Sequence, residues 1–292
     1  MDHNTVRAMF AQGDDERDAG LKAPEGVVRY NDVCYGPHGT WNLLDVYRPE
    51  KAGDGPLPVI VSVHGGGLVY GDKERYQYYC MDLAMRGFAV VNFSYRLAPE
   101  DPFPAALEDV NQVFCWLADH AGEYGMDLER LYTVGDSAGG QLSSQYLAML
   151  TNPDFAKLYD FKVPSDKIRV RAAAFNCGHF YFEAKDEMNP MEEASLIAYF
   201  GPDWREKLPL VDTLKYITPG FPPSFVMTAQ YDFLKEQAPV MCRCLEEHGI
   251  PHEYRLYGTE GQNYMAHVFH LNIRLPEAEI CNTEECRFFL SI

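Results

Sequence analysis

Residues 131–150, LYTVGDSAGGQLSSQYLAML, decide the fold. An apolar, β-branched run leads to Gly135, and a helical pattern begins just after Ser137. Ser137 sits in G-x-S-x-G between Gly135 and Gly139. A strand that turns sharply into a helix forces the serine into a strained backbone conformation, and only glycine at the flanks lets the neighbouring chain pass so close. The helix N-terminus then turns its positive end toward the serine oxygen. A glycine-rich helix start with a capping serine gives the same letters, so the rest of the chain must decide.

Working outward, the same rhythm repeats. Upstream, GVVRYNDVCYG and TWNLLDVYRP read as a hairpin around GPHG. LPVIVSVHG and GFAVVNFSYR are continuous apolar runs of the kind that doubly covered strands show. Helical patterns follow them over residues 75–86 and in FPAALEDVNQVFCWLADHA. Downstream come the strand RVRAAAFNC, the strand PSFVMTAQYD, the helix LKEQAPVMCRCLEEHG, the strand PHEYRLYG and a closing helix over 276–290. Such alternation predicts an α/β fold with a mostly parallel central sheet and helices on both faces. With no repeat, low-complexity tract or Pro/Gly linker, residues 1–292 read as one domain. Residues 1–24 read as a partial lid or a loose terminus, and 178–220 as a helical, aromatic, cap-like insertion on the loop side of the sheet.

Composition excludes several partners. The chain has 25 Lys and Arg against 43 Asp and Glu, a net charge of −18, with no basic run. Nucleic acid and anionic membranes are poor partners for that surface. No stretch of roughly 18 apolar residues and no leader-like segment occurs. The eight cysteines are scattered, and Cys34, Cys80, Cys115 and Cys177 sit in apolar patterns as buried thiols do. A reduced, cytoplasmic protein fits best. The close pairs Cys242 with Cys244 and Cys281 with Cys286 lack zinc spacing.

A serine hydroxyl needs a base to take its proton and a carboxylate to orient that base. On such sheets the order is serine, acid, histidine, each near the C-terminal end of a strand. Asp232 ends a strand in FVMTAQYDFL, and YGTEGQNYMAHVFH supplies His267 on the following loop, with His270 three residues later as the alternative. Asp136 adjoins the serine on a sharp turn, where the two side chains diverge.

The segment VIVSVHGGGLVYGDK, residues 59–73, sets His64 before three glycines. It fails as a phosphate loop, because G-x-G-x-x-G from Gly65 would need glycine at Tyr70. It also lacks partners for a metal. Pocket or core positions are expected of Tyr70, His179, Phe180, Tyr181, Phe182, Tyr199 and Trp204.

Taken together, HGGG, SYRLAPEDPFPAALEDV, DLERLYTVGDSAGG, YDFLKEQAPVMCRCLEEHGIP and HVF resemble the hormone-sensitive-lipase-like esterases of the α/β-hydrolase fold, in order from about residue 57 to 270. The resemblance implies a serine carboxylesterase with Ser137 as nucleophile, Asp232 as acid and His267 as base. It also implies an oxyanion hole from HGGG and Ala138, with the amides of Gly65, Gly66 and Ala138 as donors and His64 and Gly67 as loop support. No metal or cofactor is needed. LLDVYRP resembles related small esterases of acylated sugars or aromatic acids, so short-chain acyl esters are the expected substrates. Arylformamide or other amide hydrolysis on the same triad is one alternative. A non-catalytic ligand-binding homologue is another, and a homodimer through an edge strand or the last helix is compatible with the pattern. The loop before His267 is longer than the family's, with Val268 where glycine is usual, and the N-terminal segment is shorter than a two-helix cap.

Overall fold

The run LPVIVSV becomes a strand buried on both faces because its side chains alternate between two separate cores. Val59, Val61 and Val63 enter one, and Ile60 enters the other. The computed structural model describes residues 2–52, 55–182 and 189–292. Among these, β1 (Val27–Cys34) and β2 (Leu43–Pro49) form the N-terminal hairpin. β3 (Leu57–Val63), β4 (Ala89–Phe93), β5 (Met126–Asp136), β6 (Val170–Asn176), β7 (Ser224–Ala229) and β8 (His252–Tyr257) follow. One sheet results, in the order β1-β2-β4-β3-β5-β6-β7-β8. Only the β1/β2 and β2/β4 pairs are antiparallel.

The helices are α1 (His3–Asp18), α2 (Lys73–Met85), α3 (Ala105–His120), α4 (Ala138–Thr151), the single turn α5 (Pro153–Ala156), α6 (Pro190–Phe200), α7 (Trp204–Val211), α8 (Gln237–Glu247) and α9 (Pro276–Ser291). The inward faces of α3, α4 and α8 fill the first core. Those of α2 and α9 fill the second.

Two segments cover the C-terminal ends of the strands. α1 begins where Asp2 accepts the Thr5 N–H, a side-chain cap that starts an otherwise polar helix. Val6 is fully buried, and the helix lies against α6. Its ends are tied by arginines: Arg7 donates to the Val69 carbonyl at 2.7 Å and pairs with Glu100, while Arg274 reaches the Arg17 carbonyl at 2.8 Å. α6 and α7 form within the 178–220 insertion, of which residues 183–188 lie outside the described residues. Phe180, Tyr199 and Trp204 are core residues there.

Two details differ from expectation. Cys34 is exposed, because β1 is an edge strand with one open face. Cys115 is only partly buried, whereas Cys80 and Cys177 are fully enclosed. All eight cysteines are free thiols, and among the described residues no helix is long and apolar enough to cross a membrane.

Candidate active site

β5 ends at Asp136, and Ser137 makes the turn into α4 with φ 52° and ψ −120°. For a residue with a side chain this is a strained conformation, costing on the order of 1–3 kcal/mol. The turn is held from outside: the Ser137 N–H donates to the Asn176 carbonyl at 3.1 Å, and its own carbonyl accepts from the N–H groups of Gln141 and His179. Glycine is required at 139, where a Cβ would collide with the Val63 carbonyl of the neighbouring strand.

Asp232 follows β7 and is buried. One carboxylate oxygen accepts from His267 Nδ1 at 2.7 Å and from the Leu234 N–H at 2.9 Å. The other accepts from Thr228 Oγ1 at 2.7 Å. Burial pushes this carboxyl upward, but the bonds from His267, Leu234 and Thr228 outweigh it and hold the group below the ordinary range. An ionised Asp232 fixes the His267 proton on Nδ1, which leaves Nε2 free to act as a base.

The loop carrying His267 is pinned at its end, where the Val268 N–H donates to Cys177 Sγ at 3.4 Å. Val268 has φ 53°, so the glycine usual at that place is replaced by a valine in the left-handed region. His270 has a different setting. Fully buried and edge-on to Tyr79, it is pushed down to about 3 by burial and by the charge of His267. Cys177, Asp232 and His267 bring their ligating atoms within 4.8 Å of one another. Asp232 and His267 are already committed to each other, and burial keeps the Cys177 thiol protonated, so the cluster does not suit a metal.

Ser137 and His267 line the same two cavities. One, of about 610 Å³, is mainly apolar, with Phe10, Leu68, Phe182, Met191, Leu196 and Leu234 in its wall. The other, of about 1120 Å³, is wetter and carries Asp14, Arg17, Tyr70, Tyr76, Asp136 and Tyr264. Phe10 and Phe233 touch both. Of the expected pocket residues, Tyr70 lines the second cavity and His179 the first. Tyr181 lines neither. Its backbone N–H and carbonyl are taken by Gln237, and its neighbour Phe182 faces the cavity instead.

The oxyanion assignment also needs correction. Gly65 gives its N–H to the Tyr76 hydroxyl at 2.9 Å, so that amide is spent. Gly66 and Gly67 have no hydrogen-bond acceptor for their N–H groups among the described residues, and both line cavities with Ser137. Gly66 has φ 116°, open only to glycine. Ala138 is the first residue of α4, where no intrahelical acceptor exists. The third glycine thus replaces the first among the available donors. His64 is fully buried, its Nδ1 2.7 Å from the Gly65 carbonyl and its ring stacked on Tyr95.

Comparison with known proteins bears on this geometry. The profile of a family described as having the alpha/beta hydrolase fold matches residues 60–271. The chain belongs to the α/β-hydrolase family. Within it the chain is 29% identical to Esterase LipI of Mycobacterium tuberculosis over 80% of its own length and 73% of the relative's. It is 29% identical to the versiconal hemiacetal acetate esterase of Dothistroma septosporum, covering 79% and 72% of the two chains. The crystal structure of esterase B from Lactobacillus rhamnosis superposes with a TM-score of 0.87 at 25% identity, over 99% of this chain and 94% of that one. This α/β-hydrolase is a carboxylic ester hydrolase of the hormone-sensitive-lipase-like type.

Sequence reasoning missed Phe10, Met191, Leu196 and Phe233 as wall residues. The helical periodicity of 190–200 carried a signal for the middle pair, whereas nothing in the local pattern marks Phe10 or Phe233.

Proposed function

We propose that Ser137 is the nucleophile, His267 the base and Asp232 the orienting acid of an acyl-enzyme esterase that takes short-chain acyl esters. The observation that carries this reading is the 2.7 Å His267–Asp232 bond beside a serine held in a strained elbow, with Ser137 and His267 reached from one pair of cavities and Asp232 buried behind the histidine. His267 Nε2 takes the proton as Ser137 Oγ bonds to the ester carbon, and the carbonyl electrons move onto oxygen. Collapse of that oxyanion breaks the ester C–O bond, and the alcohol leaves with the histidine's proton. Water, deprotonated by the same nitrogen, then attacks the acyl-serine and releases the acid.

The amides of Gly66, Gly67 and Ala138 receive the oxyanion. Each such donor is typically worth about 10²–10³ in rate. The apolar cavity suits a short acyl chain, and the relative from Dothistroma septosporum is named for an acetate ester. Acetylated sugars and small aromatic acid esters are therefore the first substrates to try beside simple acetates and butyrates.

The test is turnover of p-nitrophenyl acetate and butyrate by the parent enzyme and by Ser137→Ala. The substitution is expected to remove activity by a factor of about 10⁴ or more. A fluorophosphonate should label the parent at Ser137 alone. Parental turnover in the variant would sink the reading.

A further inference from the structure

Asp136 has no step in this chemistry, yet it is a buried carboxylate directly before the nucleophile. Its Oδ2 accepts the Tyr76 hydroxyl at 2.7 Å. The same hydroxyl oxygen accepts the Gly65 N–H at 2.9 Å. Tyr76 comes from α2, and both side chains are buried. One phenol thus joins the nucleophile turn to the glycine loop, two segments that lie at the ends of adjacent parallel strands, where Val63 pairs with Gly135.

Several other polar atoms of that loop are also taken. Tyr95 donates to the His64 carbonyl at 2.8 Å, His64 Nδ1 meets the Gly65 carbonyl, and the Gly66 carbonyl accepts from the N–H groups of Val69 and Tyr70. Within HGGG the N–H groups of Gly66 and Gly67 have no acceptor among the described residues, and the buried His64 Nε2 has no partner either.

We infer that Tyr76 and Asp136 are positioning residues that set the distance between the oxyanion amides and Ser137. The inference rests on the reading of Ser137 as nucleophile. Its physical basis is the narrow tolerance of an oxyanion hole: donors must lie about 2.7–3.1 Å from the developing charge, and an ångström of misplacement costs about a hundredfold. A phenol that accepts an N–H while donating to a carboxylate is a short, charge-assisted link of the kind that can hold such a tolerance. Burial pushes the Asp136 carboxyl up to about 7, against the Tyr76 bond and the charges of His267 and Arg17, which favour ionisation; Asp14 adds to the upward push.

The experiment compares Tyr76→Phe, Asp136→Asn and Asp136→Ala with the parent. Two quantities are read on each: kcat and KM for a p-nitrophenyl ester, and Ki for an alkyl trifluoromethyl ketone, whose hemiketal places an oxyanion in the hole. Tyr76→Phe is expected to lose about a hundredfold in kcat with KM little changed, and to raise Ki by a similar factor. Asp136→Asn keeps an acceptor for the phenol and should retain more of both than Asp136→Ala. A folded Tyr76→Phe enzyme with parental kcat and Ki overturns the inference, and so does a lower kcat with unchanged Ki, which marks a purely structural role. Should Tyr76→Phe not fold, the two Asp136 variants decide by the same readings, and parental values in both overturn it. Ser137→Ala separates the two ideas. If it stays active, the underlying reading fails; if it is inactive while Tyr76→Phe is parental, only the positioning role fails.

Discussion

Two histidines three positions apart have opposite environments, and each environment predicts its own phenotype. His267 donates from Nδ1 to Asp232 and reaches the cavities with Ser137; its ring packs 4.3 Å from Phe233. His270 is enclosed, with no partner for either ring nitrogen among the described residues. His267→Ala is expected to cost about 10⁴ or more in kcat with little change in melting temperature. His270→Ala should keep turnover and melt earlier, because a cavity opens beneath Tyr79. Paired kinetics and thermal melts check both, and loss of turnover only in the second would reverse the assignment. At this scale the pairing of Asp232 with His267 was legible because each follows a strand in an expected order. The unspent amides were not. HGGG offers three N–H groups in a row, and which one is spent depends on Tyr76 and Asp136, which lie 11 and 71 residues away along the chain.

At the scale of elements, α9 carries a buried acid into the sheet. Glu285 accepts from Asn176 Nδ2 at 2.6 Å and from the Tyr79 hydroxyl at 3.2 Å, and Asn176 is the residue whose carbonyl holds the Ser137 N–H. Burial pushes the Glu285 carboxyl from its ordinary 4.5 up to about 7, against those two bonds. The folded chain therefore keeps a proton that the unfolded chain releases at lower pH. This contribution is complete below about pH 4.5 and is lost as pH rises through 7, a swing on the order of 3 kcal/mol. Glu285→Gln should remove it: at pH 8 the variant is expected to be more stable than the parent toward urea, and at pH 5 about equal. The same pH dependence in both would show that Glu285 does not titrate across this range. The element order itself was readable, since strands covered on both faces become long apolar runs and the helices between them keep a 3.6-residue period. The link from α9 to the nucleophile turn was not, because a glutamate inside an amphipathic helix reads as solvent-facing.

For the whole molecule the open question is what α1 contributes, since it is polar in sequence yet roofs the site. It gives the core the Val6 side chain and sets Phe10 between the two cavities, while Asp14 and Arg17 line the wetter one. Much of its attachment is ionic or hydrogen-bonded: Arg7 pairs with an exposed Glu100 and Arg75 with an exposed Asp15, and Arg17 donates to the Arg75 carbonyl at 2.7 Å. Exposed pairs of that kind are worth about 0–1 kcal/mol each and weaken with salt. No strand of the sheet includes these residues, so deletion of 1–24 is expected to leave a cooperatively folding protein of lower stability. The substrate profile should change more than the fold. Without Phe10 the apolar cavity opens into its neighbour, and a short acyl chain loses a wall contact worth about 1–3 kcal/mol, or tenfold and more in kcat/KM. A long chain, now able to extend into the opened space, loses less. Measured across acetate, butyrate, hexanoate and octanoate esters, the preference of the truncated enzyme should shift toward longer chains, with kcat on the best substrate changing less than KM on the shortest. A truncated enzyme that folds and keeps the parental profile would mean that the cavity walls on the sheet side and on α6, not α1, set acyl length.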